Sequence, residues 1–400
     1  MYSKPLKICI ISQEFLPYTN WGGIAVYNYE LANLYSKMGH KVTVISRYSD
    51  GTPVFEKLGS GVEVWRVGAN IKRKYIIGRT LDRILHSRDV YRKVKALEFQ
   101  NRFDIIETTE ANLEGYVLLR DSKFCQRVII QCNGSNAQGQ IPDSFLSFLH
   151  RLDWAWSLKR EKSTLQRSSV VIATSNATRQ VLLNQGIVKD KIKLIYQGVD
   201  TDLFHPDENK LHFFPVEVGF VGRFEITKGI DFIWKIMEKV REDRKFRFHL
   251  KGTIHPAWRK DTERNLNRFS RCSVFHPSSS YEDMPLFYRK LDVLLQPSRF
   301  ENFGLVYIEA MASGVIVFAG QNGGGSEIVQ DEINGFLIDP DREEDINRVA
   351  LLLLEIADKP ASFEKMRELA RQGILERFSL KQCAREKLAL YENIRSASFR

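Results

Sequence analysis

Short apolar runs of strand length recur along this chain, separated by segments long enough for a helix. KICIIS (7–12), KVTVIS (41–46), VEVWRVG (62–68), FDIIET (103–108), RVIIQC (127–132), SVVIAT (169–174) and KIKLIYQGV (191–199) form a first series. GGIAVYNYELANLYSKMG (22–39) carries apolar residues at helical spacing and stops at Gly39. Strands alternating with helical stretches predict a parallel sheet wrapped by helices. The series restarts with VEVGFVGR (216–223) and continues through FRFHLKG (246–252), RCSVFHP (271–277), DVLLQPS (292–298), GVIVFAG (314–320) and NGFLID (334–339). The expected fold class is therefore α/β with two doubly wound domains. Residues 1–197 would form the first and 198–378 the second, and 379–397 is helical in pattern. QGVDTDLFHPDENK (197–210) carries turn residues and reads as the linker. Such sheets bind ligands at the carboxyl ends of their strands, so a cleft facing those ends is the expected site.

Composition removes several classes. Hydrophobic residues make up 43% and charged residues 27% of 400, enough for two ordinary cores. No apolar stretch reaches about 18 residues, so no membrane-spanning helix is expected. The run at Leu6–Ser12 reads as a buried first strand and not a signal peptide. Cys9, Cys125, Cys132, Cys272 and Cys383 are scattered, with no CxxC, which suits reduced thiols in the cytoplasm. The net charge of +10 is uneven: Ile71–Arg102 holds ten Lys or Arg against three acids, and Lys239–Arg271 is a second basic cluster. Each is either a solvated helix face or a contact for an anionic partner such as membrane lipid, polyphosphate or nucleic acid.

Two segments carry chemistry. In VGRFEITKG (221–229) a strand ends and Arg223 and Lys228 follow before a helix. Two cations beside a helix start can clamp a diphosphate, because the free amides and the helix dipole there favour anions; the alternative is an ordinary basic loop. In RFENFGLVYIEAMASG (299–314) a turn precedes a helix stopped by Gly314, with Glu301 before it and Glu309 just over one turn inside it. The amides of Phe303, Gly304 and Leu305 lack helical partners, so an anion can dock there. A carboxylate accepts from vicinal hydroxyls, which suits Glu309 to a ribose and Glu301, beside Asn302, to a second sugar. The alternative is that Glu301 caps the helix and Glu309 pairs with a surface base.

Taken together these segments resemble the retaining GT-B glycosyltransferases of family 4, also called glycosyl transferases group 1. The resemblance rests on GGIAVYNYELANLYSKMGHKVTV, GFVGRFEITKGID, the E-x7-E of RFENFGLVYIEAMASGVIVFAG, and NGGGSEIVQDEINGFLIDP (322–340); residues 70–165 match poorly. It implies a GT-B fold of two Rossmann-like domains, a terminal helix (379–400) that crosses back onto the first, and a nucleotide-sugar held mainly by the second. Arg223 and Lys228 would hold the diphosphate and, with Glu301, form the catalytic set. Glu309 would bind the ribose, and Glu301 with Asn302 and the amides of Phe303–Leu305 would face the sugar or its phosphate. Gly22 and Gly23 would admit the diphosphate from the first domain, and Gly252 and His276 would border the nucleobase. The implied reaction is transfer of a hexose, from a UDP-sugar ahead of a GDP- or ADP-sugar, to a glycan, polysaccharide precursor or glycolipid, with retention and without a metal or other cofactor. Asp200–Thr201–Asp202 sits in the presumed linker and is not read as a metal motif.

Relatives often carry a histidine after the strand equivalent to RVIIQC, where this chain has Asn133. Asparagine hydrogen-bonds a sugar hydroxyl but takes no proton at neutral pH, so either the histidine only binds or the activity here is altered. Other readings are an inactive or altered GT-B protein, an epimerase, a phosphorylase, for which no pyridoxal lysine is evident, and a nucleic-acid binder, for which no motif is present. The 71–102 segment, with YII and VYRKV interleaved among its bases, could rest on an anionic membrane as a peripheral contact at its cytoplasmic face.

Overall fold

A computed structural model describes residues 4–18, 22–68, 79–134, 147–207, 210, 214–241 and 245–397. The chain divides into two compact units, one of Met1–Tyr196 with Cys383–Arg400 and one of Gln197–Gln382.

Unit 1 is built on an eight-stranded sheet: β1 (Lys7–Ile11), β2 (Lys41–Arg47), β3 (Phe55–Lys57), β4 (Glu63–Val67), β5 (Ile105–Thr109), β6 (Val128–Cys132), β7 (Val170–Ala173) and β8 (Ile192–Leu194). The order is β3-β4-β2-β1-β5-β6-β7-β8, and every pair is parallel except β3–β4. β5 and β6 are buried at every position, as strands covered on both faces are; each opens on an apolar run, Ile105–Ile106 and Val128–Ile130, and then turns polar at Glu107 and Gln131. Cys9, Ile11, Ile106 and Ile130 pack with Val90, Val94 and Leu165 from the flanking helices. β3 was not foreshadowed by any apolar run: it has three residues, lies at the sheet edge and is largely exposed. The basic segment partly resolves into the helix Arg79–Gln100; Lys72, Arg73 and Lys74 lie outside the described residues.

The terminal helix Leu380–Ala397 belongs to unit 1 from Cys383 onward. Its Lys387 is fully buried and donates to Glu107 on β5 (2.5 Å) and Gln131 on β6 (2.6 Å). Tyr391 also donates to Glu107. Burial lowers the Lys387 pKa, and the adjacent carboxylate opposes that shift.

Unit 2 carries a six-stranded parallel sheet of β9 (Val216–Val221), β10 (Phe246–Gly252), β11 (Ser273–Pro277), β12 (Val293–Gln296), β13 (Ile316–Gly320) and β14 (Phe336–Ile338). The order is β11-β10-β9-β12-β13-β14. Phe220, Phe248, Leu295 and Phe318 meet Ile233 and Met237 of the helix Ile230–Val240 and Val349 and Leu353 of the helix Glu343–Asp358. β9 pairs with β10 on one side and β12 on the other, so chain order reverses there. The loops leaving β9 and β12 flank that switch point, the usual ligand position in such sheets. The stretch read as a linker is packed in its described part: Val199 bridges Ser379, and Phe204 is buried against Tyr281 and Tyr288.

Candidate functional site at the carboxyl edge of unit 2

After β9 the chain passes through Gly222 and Arg223 into a 3-10 turn, Ile226–Lys228, and then the helix Ile230–Val240. After β12 it runs through Ser298–Gly304 into the helix Leu305–Ala312. Arg299 ties these loops together. Its amide donates to the Thr227 carbonyl at 3.0 Å, and its guanidinium grips Asp231 at 2.9 and 2.8 Å and Asp341 at 2.8 Å. A planar fork held at two oxygens fixes direction as well as distance.

The tied loops bring Lys228 onto Glu301, with Nζ 2.6 Å from Oε1, and Ser298 Oγ donates to the same oxygen at 2.9 Å. Both side chains are partly exposed, so the ammonium and the carboxylate remain reachable. Gly304 caps the next helix at φ 103°, a left-handed conformation that glycine adopts without penalty. The Asn322–Gly325 stretch lies main chain to main chain on this loop: the Gly324 amide donates to the Glu301 carbonyl at 2.8 Å, and a Cβ there would fall 1.8 Å from the Phe303 carbonyl oxygen. Phe303 is buried, its ring 5.8 Å from Phe378, so its amide and not its side chain is what the loop can offer. Asn302 has a buried Oδ1 without a hydrogen-bond partner among the described residues.

Glu309, on the following helix, is largely buried and accepts from the Tyr288 hydroxyl at 2.8 Å. Burial pushes its carboxyl up to about 7, against the opposing pull of Tyr288. It is therefore not the exposed half of a surface ion pair, one alternative left open by the sequence.

The remaining expected residues are placed as follows. Arg223 is exposed, with a guanidinium nitrogen 2.9 Å from Glu225. Gly252 ends β10 against Gly222, whose carbonyl oxygen would lie 1.8 Å from an added Cβ, so close main-chain packing already accounts for a glycine there. His276 stands on β11 with its Nε2 2.9 Å from His249, which in turn meets Glu217 at 2.6 Å. Burial, then neighbouring His249, lowers its pKa. In unit 1, Gly22 is extended at φ 173° and Gly23 opens the helix Gly23–Lys37. Neither left-handed backbone nor a described neighbour within 4 Å requires a glycine at 22. Asn133 follows β6 and accepts from Gln131 at 2.8 Å.

Thus Lys228, Glu301, the 302–305 loop and Glu309 share one edge of unit 2. Sequence reasoning missed the residues that hold them: Arg299, Ser298 and Tyr288. Arg299 opens the motif already singled out, so its position was the available signal. Among the described residues, no three His, Cys, Asp or Glu side chains are grouped to hold a metal ion, and no helix is long and apolar enough to cross a membrane.

Two family descriptions match the chain without overlapping. "Glycosyltransferase Family 4" matches residues 21–203 and "Glycosyl transferases group 1" matches 209–372. An uncharacterised 41.2 kDa protein of the cps region of Klebsiella pneumoniae is 29% identical over 48% of this chain; the matched stretch spans only 53% of that relative. An uncharacterised glycosyltransferase of Methanocaldococcus jannaschii is 24% identical over 97% of this chain and 98% of its own length. Among solved structures, sucrose-phosphate synthase from Thermosynechococcus elongatus superposes with a TM-score of 0.81 at 22% identity, covering 98% of this chain and 99% of the other. Anabaena HepE in complex with UDP and glucose gives 0.72 at 19% identity, covering 97% and 100%. With its two sheets, its E-x7-E segment and both family descriptions in sequence order, this chain belongs to the GT-B glycosyltransferases of family 4, the glycosyl transferases group 1.

Proposed function

We propose that the chain is a retaining hexosyltransferase that uses a nucleotide-sugar, UDP-linked ahead of GDP- or ADP-linked, and delivers the hexose to a glycan, polysaccharide-precursor or glycolipid acceptor. The observation that carries this reading is the Lys228–Glu301 pair, set at the start of the helix Leu305–Ala312 with Glu309 one turn further in. The complex of HepE with UDP and glucose is consistent with a nucleotide-sugar donor.

Breaking the sugar–phosphate bond places negative charge on the departing diphosphate and positive character on the sugar ring. Lys228, Arg223 and the Gly304–Leu305 amides stabilise the first, in the way preorganised donors stabilise a developing anion. Glu301 then exchanges its ammonium partner for the hydroxyls of the hexose, and Glu309 accepts from the ribose while Tyr288 fixes its orientation. Gly22 and Gly23 leave room for the phosphates, His276 and Gly252 border the base, and Asn133 hydrogen-bonds a sugar hydroxyl. The acceptor hydroxyl attacks on the face the diphosphate leaves, and the diphosphate takes its proton. No metal is required in this scheme, since the cations and amides supply the charge. A lipid-linked acceptor would suit a peripheral contact of the basic 71–102 segment with anionic membrane.

A thermal-shift panel of UDP-, GDP- and ADP-sugars tests the reading. Ligand at about one hundred times its Kd stabilises by about 2.7 kcal/mol, roughly 5–10 °C for a unit of this size. Stabilisation by a UDP-sugar above the other two supports the proposal, and a flat panel overturns it. Proton NMR of the transferred sugar then reads the anomeric configuration; inversion would refute retention.

A further inference from the structure

β5 lies between β1 and β6, so the segment leaving it is flanked by the loops leaving both neighbours. That segment, Glu110–Gly115, takes an unusual course: Asn112 and Leu113 are both left-handed, at φ 61° and 56°. A leucine in that region is costly and persists only where surroundings impose it, most often near functional surfaces. The result is that two acids four residues apart serve different loops. Glu110 accepts from the Asn133 amide with both oxygens (3.0 and 3.1 Å) and from the Gly134 amide at 2.9 Å. Glu114 accepts from the Gln13 amide at 2.5 Å and from Thr109 Oγ1 at 3.2 Å. Its own carbonyl accepts from Ser87 Oγ at 2.8 Å, and Ser87 Oγ accepts from the Val117 amide at 2.9 Å, fixing the far side. Both acids are buried.

We propose that Glu110 and Glu114 are positioning residues, each carboxylate setting the shape of one loop at the carboxyl edge of unit 1, where the acceptor is taken up. The assignment of that edge to the acceptor rests on the function proposed above. A buried carboxylate that accepts main-chain amides holds a loop more firmly than a neutral group of the same shape, because charge-assisted hydrogen bonds are about twice as strong. Glu110 thereby sets where the Asn133 side chain and the Gly134 turn stand. Glu114 does the same for Gln13, whose carbonyl receives Ser46 Oγ at 3.1 Å, and beside it Ser12 Oγ donates to the Glu14 carbonyl at 2.6 Å. The grip depends on ionisation. Burial, with Glu161 of the helix Ser147–Arg167 beside it, pushes Glu110 up to about 7; burial pushes Glu114 up to about 8, with Glu14 and Glu110 adding to it. The neighbouring Cys132 thiol is raised in turn by burial and by Glu110 and Glu161, so it stays protonated and adds no charge.

Hydrogen exchange on the full chain at pH 9 tests this with Glu110→Gln and Glu114→Gln. Glu110→Gln should speed exchange at 132–134 about tenfold and leave 12–15 within about twofold of the parent; Glu114→Gln should do the reverse. Turnover of UDP-glucose should fall for both, with kcat reduced about tenfold and KM within about twofold, because Lys228, Arg223 and Glu309, which hold most of the donor, lie in unit 2 and are untouched. Unchanged exchange at both loops, or faster exchange spread evenly through β2 and β5, overturns the proposal. Should a Gln variant fail to fold, the parent chain gives the same answer. Protection at Asn133 and Gly134, relative to β2 and corrected for intrinsic rates, must rise between pH 6 and 9, and a flat profile overturns it. A parent chain that no sugar nucleotide stabilises sinks the proposed function, while the exchange result still decides whether these acids hold the loops.

Discussion

The carboxyl edges of the two sheets use charge in opposite ways. In unit 2 the ionised groups stand partly open: Lys228 meets Glu301 at 2.6 Å, and Arg223 is mostly exposed. In unit 1 the acids Glu110 and Glu114 are buried and spend their oxygens on main-chain amides. The open pair can change partners when an anion arrives, at little desolvation cost. Once ionised, the buried acids cannot leave their amides without stranding a charge, so they shape loops and do not trade partners. Exposure therefore separates groups suited to handle a ligand from groups suited to hold the protein, although both sets are carboxylates and cations at strand ends.

The contrast is most easily broken at Lys387. If buried charge in unit 1 is structural, Lys387→Met strands the Glu107 carboxylate and should cost about 3–5 kcal/mol, read as a drop of roughly 10 °C in the melting of the full chain. Pairing it with Glu107→Gln should recover more than half of the loss, because replacing both partners of a buried ion pair is far milder than removing one. A single variant that melts like the parent would mean that burial does not distinguish the two classes of charge.

Lys228→Ala asks the converse. Its loss should lower kcat by about 10²–10³ while changing melting by less than about 1 kcal/mol, because the ammonium serves the departing diphosphate and only a partly exposed ion pair in the free chain. Glu309→Ala should instead weaken donor binding, read by titration with the nucleotide-sugar that the thermal-shift panel selects. Equal activity of Lys228→Ala and the parent would remove the functional half of the comparison.

Where the sequence was legible, the reason is burial. Strands covered on both faces bury nearly every position, so β1 and β12 stood out as apolar runs, and β5 and β6 by their leading Ile105–Ile106 and Val128–Ile130. β3 did not, because a three-residue exposed edge strand has no such requirement. In the candidate site, Lys228, Glu301 and Glu309 were readable because each sits in a compact motif next to a strand end. Their supports were not. Tyr288 reaches Glu309 from 21 residues away, and Lys387 reaches Glu107 across 280, distances over which local pattern carries no information. Glu110 and Glu114 looked like ordinary loop acids, since their role depends on a left-handed turn at Asn112 and Leu113, neither of them the glycine that usually signals one.

Glu309 is the exception that sharpens the comparison, a buried acid in the open unit. Its folded pKa of about 7 stands above the ordinary 4.5, so the folded chain binds this proton more tightly than the unfolded chain does. Its contribution to stability is full below pH 4.5 and is lost as pH rises through 7. Glu309→Gln should therefore reduce the fall in stability between pH 5 and 8 by about 1–3 kcal/mol in urea titrations, leaving the part due to Glu110 and Glu114. Donor affinity should move the other way and rise through pH 7, since the ionised carboxylate is the better acceptor for ribose hydroxyls. A variant whose pH dependence matches the parent would show that Glu309 does not titrate in this range.

Arg223→Ala has the smallest expected effect and probes the open class at its limit. The side chain is mostly exposed and pairs with Glu225, an arrangement that typically contributes less than about 0.5 kcal/mol to folding. Melting should be unchanged within error. Its share in holding a diphosphate should appear as a roughly threefold to tenfold rise in KM for the nucleotide-sugar, and that rise should shrink as salt increases, because an exposed cation's pull on phosphate is screened over about 8–10 Å at ordinary ionic strength. Lys228, partly buried against a Glu301 that Ser298 also holds, should show a weaker salt dependence than Arg223. Equal salt dependence of the two variants would mean that both cations meet the ligand in open solvent, and that the tied loops do not shelter Lys228.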